Sequence, residues 1–313
     1  MAETPQSETE PRPMGIEQAG RLMRAATYAS VGVAGTLVLA KILAWLATDS
    51  ISLLSTLVDS VLDVGASAVS FFAVRHALQP ADHEHRFGHG KAESLAGLSE
   101  SAFVMGSGIF VIAQAVSRLI SPRELANTEV GYAVMGLGMV MSLGLVVFQK
   151  YVVRKTGSVA IGAESLNYQN DILVNASVMV SLFVSTRFGW WIADPIFAIG
   201  IALFIATGAW RIGRQSLDIL MDRELPDSDR KRIHDLVMAC EGVLGVHDIR
   251  TRSSGPSVFI QLHLELDDDL PLKDAHDRVE DAERVVEAAF PNAEVLIHPD
   301  PMSVVPAELA AAK

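Results

Sequence analysis

Two aspartates, Asp59 and Asp63, stand four residues apart in the apolar stretch LVDSVLDVGAS. On a helix that spacing puts both carboxylates on one face. An acid deep in a membrane helix costs roughly 3 kcal/mol on insertion scales, so two on one face require a cation or protons. A second apolar stretch, with ESLNYQND near its start, offers Asn167 and Asp171 at the same spacing. Two helices that each present such a pair can enclose one four-coordinate ion. The bland reading of the four is hydrogen bonding between helices.

A second concentration of ligand-type residues is the segment Gln79–Lys91, reading QPADHEHRFGHGK, with Asp82, His83, His85 and His89. Imidazole and carboxylate suit zinc and related divalent ions. No His-Glu-x-x-His helix is present, which excludes the common zinc-protease arrangement. A third set lies near the C-terminus: His247, His263, His276, His298 and Asp300. Each alone reads as a surface residue. His298 and Asp300 are two apart and share a face if they lie on a strand. The set becomes a site only if the strands that carry it pair.

The elements that must position these residues follow from hydropathy. Six runs are long and apolar enough to span a bilayer: 28–47, 52–77, 95–119, 130–152, 161–184 and 190–212. Positive residues concentrate in alternate connections: Arg21 and Arg24, then Arg75, Arg86 and Lys91, then Lys150, Arg154 and Lys155, then Arg211 and Arg214. The opposite connections hold only Arg123 and Arg187. Both termini are therefore expected in the cytoplasm. Lys41, inside the first span, either snorkels or pairs with an acid.

After Asp222 the pattern changes. Residues 227–240 have helical spacing, with Asp227 as the expected N-cap. In SVFIQLHLEL, Val258, Ile260, Leu262, Leu264 and Leu266 alternate with Phe259, Gln261, His263 and Glu265. A second amphipathic helix over 272–290 and the strand AEVLIH complete an α-β-β-α-β order. That order fits a small open sheet with helices on one face and His263 on the other. The expected organisation is a disordered N-terminus (1–20), a membrane domain (21–219), a soluble domain (220–305) and a flexible tail (306–313).

Composition agrees. The 313 residues are 50% apolar and 20% charged, with a net charge of -12. Residues 1–219 carry a balance of -2 and residues 220–313 one of -10. A near-neutral apolar body thus bears an acidic soluble part, which repels nucleic acid and attracts cations. The single cysteine, Cys240, rules out a disulfide framework or a thiolate metal cluster within the chain.

Taken together, LVDSVLDVGAS, LQPADHEHRFGHGKAESLAGL, VHDIRTRSSGP, FIQLHLEL and VLIHPDP resemble the cation diffusion facilitator family, and most closely its bacterial ferrous-iron and zinc efflux branch. The resemblance runs from about residue 20 to about residue 305. It implies six transmembrane helices plus a C-terminal cytoplasmic ferredoxin-like domain, a homodimer in the inner membrane, and exchange of a divalent cation for protons. It implies a transport site at Asp59, Asp63, Asn167 and Asp171 and a loop site at Asp82, His85 and His89. It further implies a binuclear regulatory site from His247, His263, His276, His298 and Asp300 that joins the protomers, and a charge interlock between Lys91 and Asp222. Zinc-transporting relatives usually have His at the position of Asn167. An all-oxygen set shifts the expected preference from Zn²⁺ toward Mn²⁺ or Fe²⁺. The alternatives are a membrane-bound metal sensor without transport, which would not need the two intramembrane pairs, and an intramembrane metalloenzyme, for which no substrate pocket is marked.

Overall fold

The computed structural model describes residues 15–48, 51–120, 129–188 and 192–305. Of the N-terminal residues 1–20 expected to be disordered, 16–20 are helical; residues 1–14 and the expected flexible tail, 306–313, lie outside the described residues. So do Arg123, Trp190 and the side chain of Arg187. The chain divides into two compact units, one of residues 20–221 and one containing residues 222–305.

The first unit is built from six helices: α1 (Ile16–Thr48), α2 (Ile51–Ala77), α3 (Lys91–Ile120), α4 (Glu129–Thr156), α5 (Val159–Phe188) and α6 (Ala193–Leu220). The shortest has 27 residues. At 1.5 Å per residue it is about 40 Å long, more than the ~30 Å hydrocarbon core of a bilayer. Among the described residues four stretches are long and apolar enough to cross a membrane: Ile16–Ala47, Lys91–Ser117, Met135–Thr156 and Pro195–Leu220. The sequence reading expects six; α2 and α5 are not among the four.

The burial pattern of this unit is inverted relative to a water-soluble bundle. Large apolar side chains such as Leu46, Phe72, Ile109 and Val140 are exposed, whereas Ser30, Ser67, Glu100, Gln149, Glu164 and Tyr168 are buried. In water the opposite arrangement is stable. With lipid as solvent, polar side chains turn inward and apolar ones face the hydrocarbon.

Two local devices set the helix contacts. Gly157 adopts a left-handed φ of 70° between α4 and α5, and its amide closes α4 on the Val153 carbonyl at 2.8 Å. Ser158 Oγ then accepts from the Ile161 amide at 3.3 Å, capping the start of α5. This short turn makes α4 and α5 antiparallel neighbours, so Gln149 meets Glu164 across 15 residues of chain. Small residues let α3 approach α6. A Cβ on Gly97 would lie 2.8 Å from Ser216 Oγ and 3.2 Å from the Val159 backbone. A Cβ on Gly213 would lie 2.8 Å from Ser101 Oγ. Such reciprocal small-residue contacts are a main source of helix association where lipid removes the hydrophobic driving force.

The second unit runs α7 (Asp227–Met238), β1 (Gly245–Ser254), β2 (Ser257–Leu266), α8 (Leu272–Ala289) and β3 (Ala293–Pro301). The sheet order is β1-β2-β3, with β1 and β2 antiparallel and β2 and β3 parallel. This is the βαββαβ ferredoxin-like order without its first strand, so β2 and β3 pair directly. Ile260, Leu262, Leu264 and Leu266 pack with Ile233 and Val237 of α7 and with Val279, Ala282 and Val286 of α8. The expected alternation along β2 and the helices on one face are both present. The opposite face carries His263. Asp227 is the first residue of α7 rather than its cap: Pro226 occupies the N-cap and makes no side-chain bond. Proline's fixed φ ends the preceding extended segment, and Asp227 instead lies 3.5 Å from Arg230 Nη1 within the first turn.

Gly97→Leu is expected to push α3 off α6 and α5, at a cost of about 1–3 kcal/mol. The measurement is the thermal midpoint of the detergent-solubilised protein. An unchanged midpoint would show that the helices do not pack through this glycine.

Candidate metal centres

In the membrane unit, Asn167 of α5 is 7% exposed. Its Nδ2 donates to Asp63 Oδ1 of α2 at 3.0 Å. One turn along, the hydroxyls of Tyr168 (α5) and Ser67 (α2) lie 3.1 Å apart. These two contacts fix the facing surfaces of α2 and α5. Asp171 follows Asn167 by one turn and is half-buried. Asp59 precedes Asp63 by one turn of α2, but its side chain lies outside the described residues. Asn167 presents its nitrogen to the carboxylate here; turning the amide by 180° presents the carbonyl oxygen without changing shape. Lys41 donates to the Ser60 hydroxyl, the residue next to Asp59.

The connection between α2 and α3 gathers a compact trio. His85 Nδ1 lies 3.3 Å from Asp82 Oδ1, and His89 Nε2 lies 3.3 Å from Asp82 Oδ2. One ligand atom from each residue falls within 4.8 Å of the others. Asp82 is oriented by its own turn, accepting from the amides of His85 at 2.6 Å and Glu84 at 2.9 Å. The His85 amide bond is the main reason its carboxyl is held below the ordinary carboxylate range. His89 is buried just before α3, with its ring 4.5 Å from both His85 and His76. His83 is exposed and is not part of the trio. His76, in the last turn of α2, is not visible as a site residue in sequence: it sits outside the His-rich segment and reads as a basic helix end.

Lys91 opens α3 and donates to the Leu220 carbonyl at the end of α6, at 3.3 Å. Asp222, with a left-handed φ of 56°, lies 3.6 Å from Arg252 Nη1 of β1.

On the open face of the sheet, register makes the third cluster. His247 pairs with His263 and His263 pairs with His298, which sets three imidazoles in one row across three strands. Ring centroids are 5.1 and 5.0 Å apart. Asp300, only 3% exposed, reaches all three: His263 Nδ1 at 2.6 Å, His298 Nε2 at 3.2 Å and His247 Nε2 at 3.5 Å. Ligand atoms of His247, His263 and Asp300 lie within 4.8 Å of one another. A tetrahedral ion with ~2.1 Å bonds sets its ligands about 3.4 Å apart, so modest contraction suffices.

Two acids that the sequence does not single out complete the surroundings. Glu265 Oε1 lies 2.9 Å from His247 Nδ1 and orients that ring. Asp248 sits at a register shift between His247 and Arg250 with φ 48°. The bulge turns it toward His263, with Oδ2 3.9 Å from Nε2. A β-strand pattern alone does not reveal a bulge. His276 is not brought into this cluster. It lies on α8, against the opposite face of the sheet, 65% exposed and 3.3 Å from Glu280.

Residues 27–221 match the cation efflux transmembrane domain and residues 225–302 the cytoplasmic domain of cation efflux proteins. The chain is 46% identical over 289 residues to the cation-efflux pump FieF of Salmonella paratyphi A, covering 92% of this chain and 96% of that protein. Its counterpart in Salmonella arizonae is 46% identical over 290 residues, with 93% and 96% covered. A solved structure described as that of a zinc transporter, CzrB, in its zinc form, is 33% identical, covers 26% of this chain and 94% of its own, and has a TM-score of 0.25. The chain belongs to the cation efflux family of membrane transporters.

Proposed function

We propose that this protein exports divalent metal cations from the cytoplasm in exchange for protons. Asp59, Asp63, Asn167 and Asp171 form the transport site. The observation that carries this reading is the Asp63–Asn167 contact between two helices whose unit is apolar outside and polar inside. The length of α2 and α5 supports six spans, and the alternating positive connections support cytoplasmic termini in the inner membrane.

The metal binds deprotonated carboxylates, so protons arriving from the other side compete for the same oxygens and displace it. The donor set is oxygen-only when Asn167 turns its carbonyl inward. Such a set favours Mn²⁺ or Fe²⁺ over softer ions, while Zn²⁺ and Cd²⁺ are still bound. Asp82, His85 and His89 form a loop metal site. His247, His263, His298 and Asp300 form a regulatory metal site in the second unit. That chain copies dimerise is supported by the name of the matched cytoplasmic-domain family, which refers to dimers. In a homodimer His276, which lies away from the cluster of its own chain, serves the site of the second copy.

Three measurements follow. Purified protein in proteoliposomes is expected to take up Mn²⁺, Fe²⁺ or Zn²⁺ when a pH gradient is imposed, and Asp63→Ala is expected to lose that uptake by at least tenfold. Metal bound without uptake by well-folded protein would replace the exporter with a sensor.

Asn167→His replaces an amide by an imidazole, a softer donor that can also carry a proton. It is expected to raise the Zn²⁺ to Mn²⁺ transport ratio and to shift the pH profile of transport. Identical profiles for the two proteins would refute a carboxylate-only proton site.

At the loop, the amide bonds that lower the Asp82 carboxyl keep it ionised, and so ready to bind metal, near neutral pH. Asp82→Asn is expected to weaken loop binding about tenfold or more at pH 7, as read by calorimetric titration with Zn²⁺. An unchanged Zn²⁺ affinity would remove Asp82 from the loop site.

A further inference from the structure

One turn of α5 before Asn167, the membrane unit holds a second group of acids that the transport site does not use. Glu164 of α5 is 1% exposed and Glu100 of α3 is 5% exposed. The two carboxylates are close enough to act on each other electrostatically. Gln149 of α4, fully buried, donates through Nε2 to Glu164 Oε2 at 3.3 Å and to Ser30 Oγ of α1 at 2.9 Å. Ser70 of α2, also fully buried, lies beside Glu100 without forming a hydrogen bond of good geometry.

The polar atoms left over are nearly all acceptors. Both oxygens of Glu100, Oε1 of Glu164, Oε1 of Gln149 and Oγ of Ser70 are buried with no hydrogen-bond partner. An unsatisfied buried acceptor is destabilising, and a charged one more so. One added proton supplies one donor and leaves most of these oxygens unsatisfied. One divalent cation can meet several oxygens at once, and its charge balances that of two ionised carboxylates. Oxygen donors of this kind select hard cations such as Mn²⁺.

We infer that Glu100 and Glu164, with Gln149 and Ser70, form a second cation-binding station in the membrane unit for a hard divalent ion. It lies next to the transport site. Glu164 precedes Asn167 by three residues, and Tyr168, one turn after Glu164, meets Ser67, one turn after Asp63. The station rests on the proposed reading of this unit as a cation path. On the cytoplasmic side of Asp63, as the positive residues that end α4 place it, it gives an ion a neutralising stop on entry.

The test is equilibrium dialysis of the full chain in lipid nanodiscs against Mn²⁺, with bound metal counted by mass spectrometry. The near-isosteric double variant Glu100→Gln/Glu164→Gln is expected to bind one Mn²⁺ fewer per chain than the native protein. An unchanged count would overturn the station and assign the neutralising charge to protons. A reading that does not depend on the variant is the anomalous difference map of Mn²⁺-soaked native crystals. A peak within about 2.0–2.6 Å of Glu100 and Glu164 oxygens supports the station. A filled Asp63 site with no peak between these glutamates overturns it. Because both readouts are of binding, failed transport in liposomes would sink the exporter reading and leave this one standing.

Discussion

The structure depends on how its charges and amides are kept out of hydrocarbon. A polar side chain facing lipid has no water to bond, so it must find partners inside the bundle. This explains why the membrane unit is apolar on its surface and polar within. It also explains why the helix contacts occur at polar pairs: Asp63 with Asn167, Ser67 with Tyr168, and Gln149 with Glu164 and Ser30. Those pairs orient α2 and α5, and small residues at Gly97 and Gly213 bring α3 and α6 close.

The same economy runs through the three candidate centres, though each uses a different backbone device. In the membrane it is helix spacing: acids and amides four apart line one face. In the loop it is an aspartate turn, in which amide bonds both orient Asp82 and hold it ionised. In the second unit it is strand register, which aligns three imidazoles on one row and lets the buried Asp300 touch all of them. Carboxylates at the centre of imidazole groups are suited to divalent ions, and oxygen donors such as those of Asp63 and Asp171 to harder ones.

Residue periodicity was a good guide to elements and to faces. Alternation along 257–266 marked both the buried row and the row with His263, and the four-residue spacings marked one face each of α2 and α5. The loop trio was legible because its members fall within eight residues of chain. Where local patterns mislead, the cause is local competition: Pro226 takes the cap position that Asp227 would fill, and a bulge at Asp248 interrupts the strand count.

From the sequence alone came the membrane character, the αββαβ order, the polar pairs and the residue types that suit divalent cations. All of these are set by spacing along a single element or by composition. Only the tertiary structure decided which faces meet. It joined Asp63 to Asn167 across 104 residues, set His76 against His89, and left His276 on the far side of its own sheet. It also enclosed Glu100 with Glu164, Gln149 and Ser70. Periodicity tells which way a side chain points from its helix or strand. What it points at depends on packing between distant segments, and the partnering of buried polar atoms is settled only there.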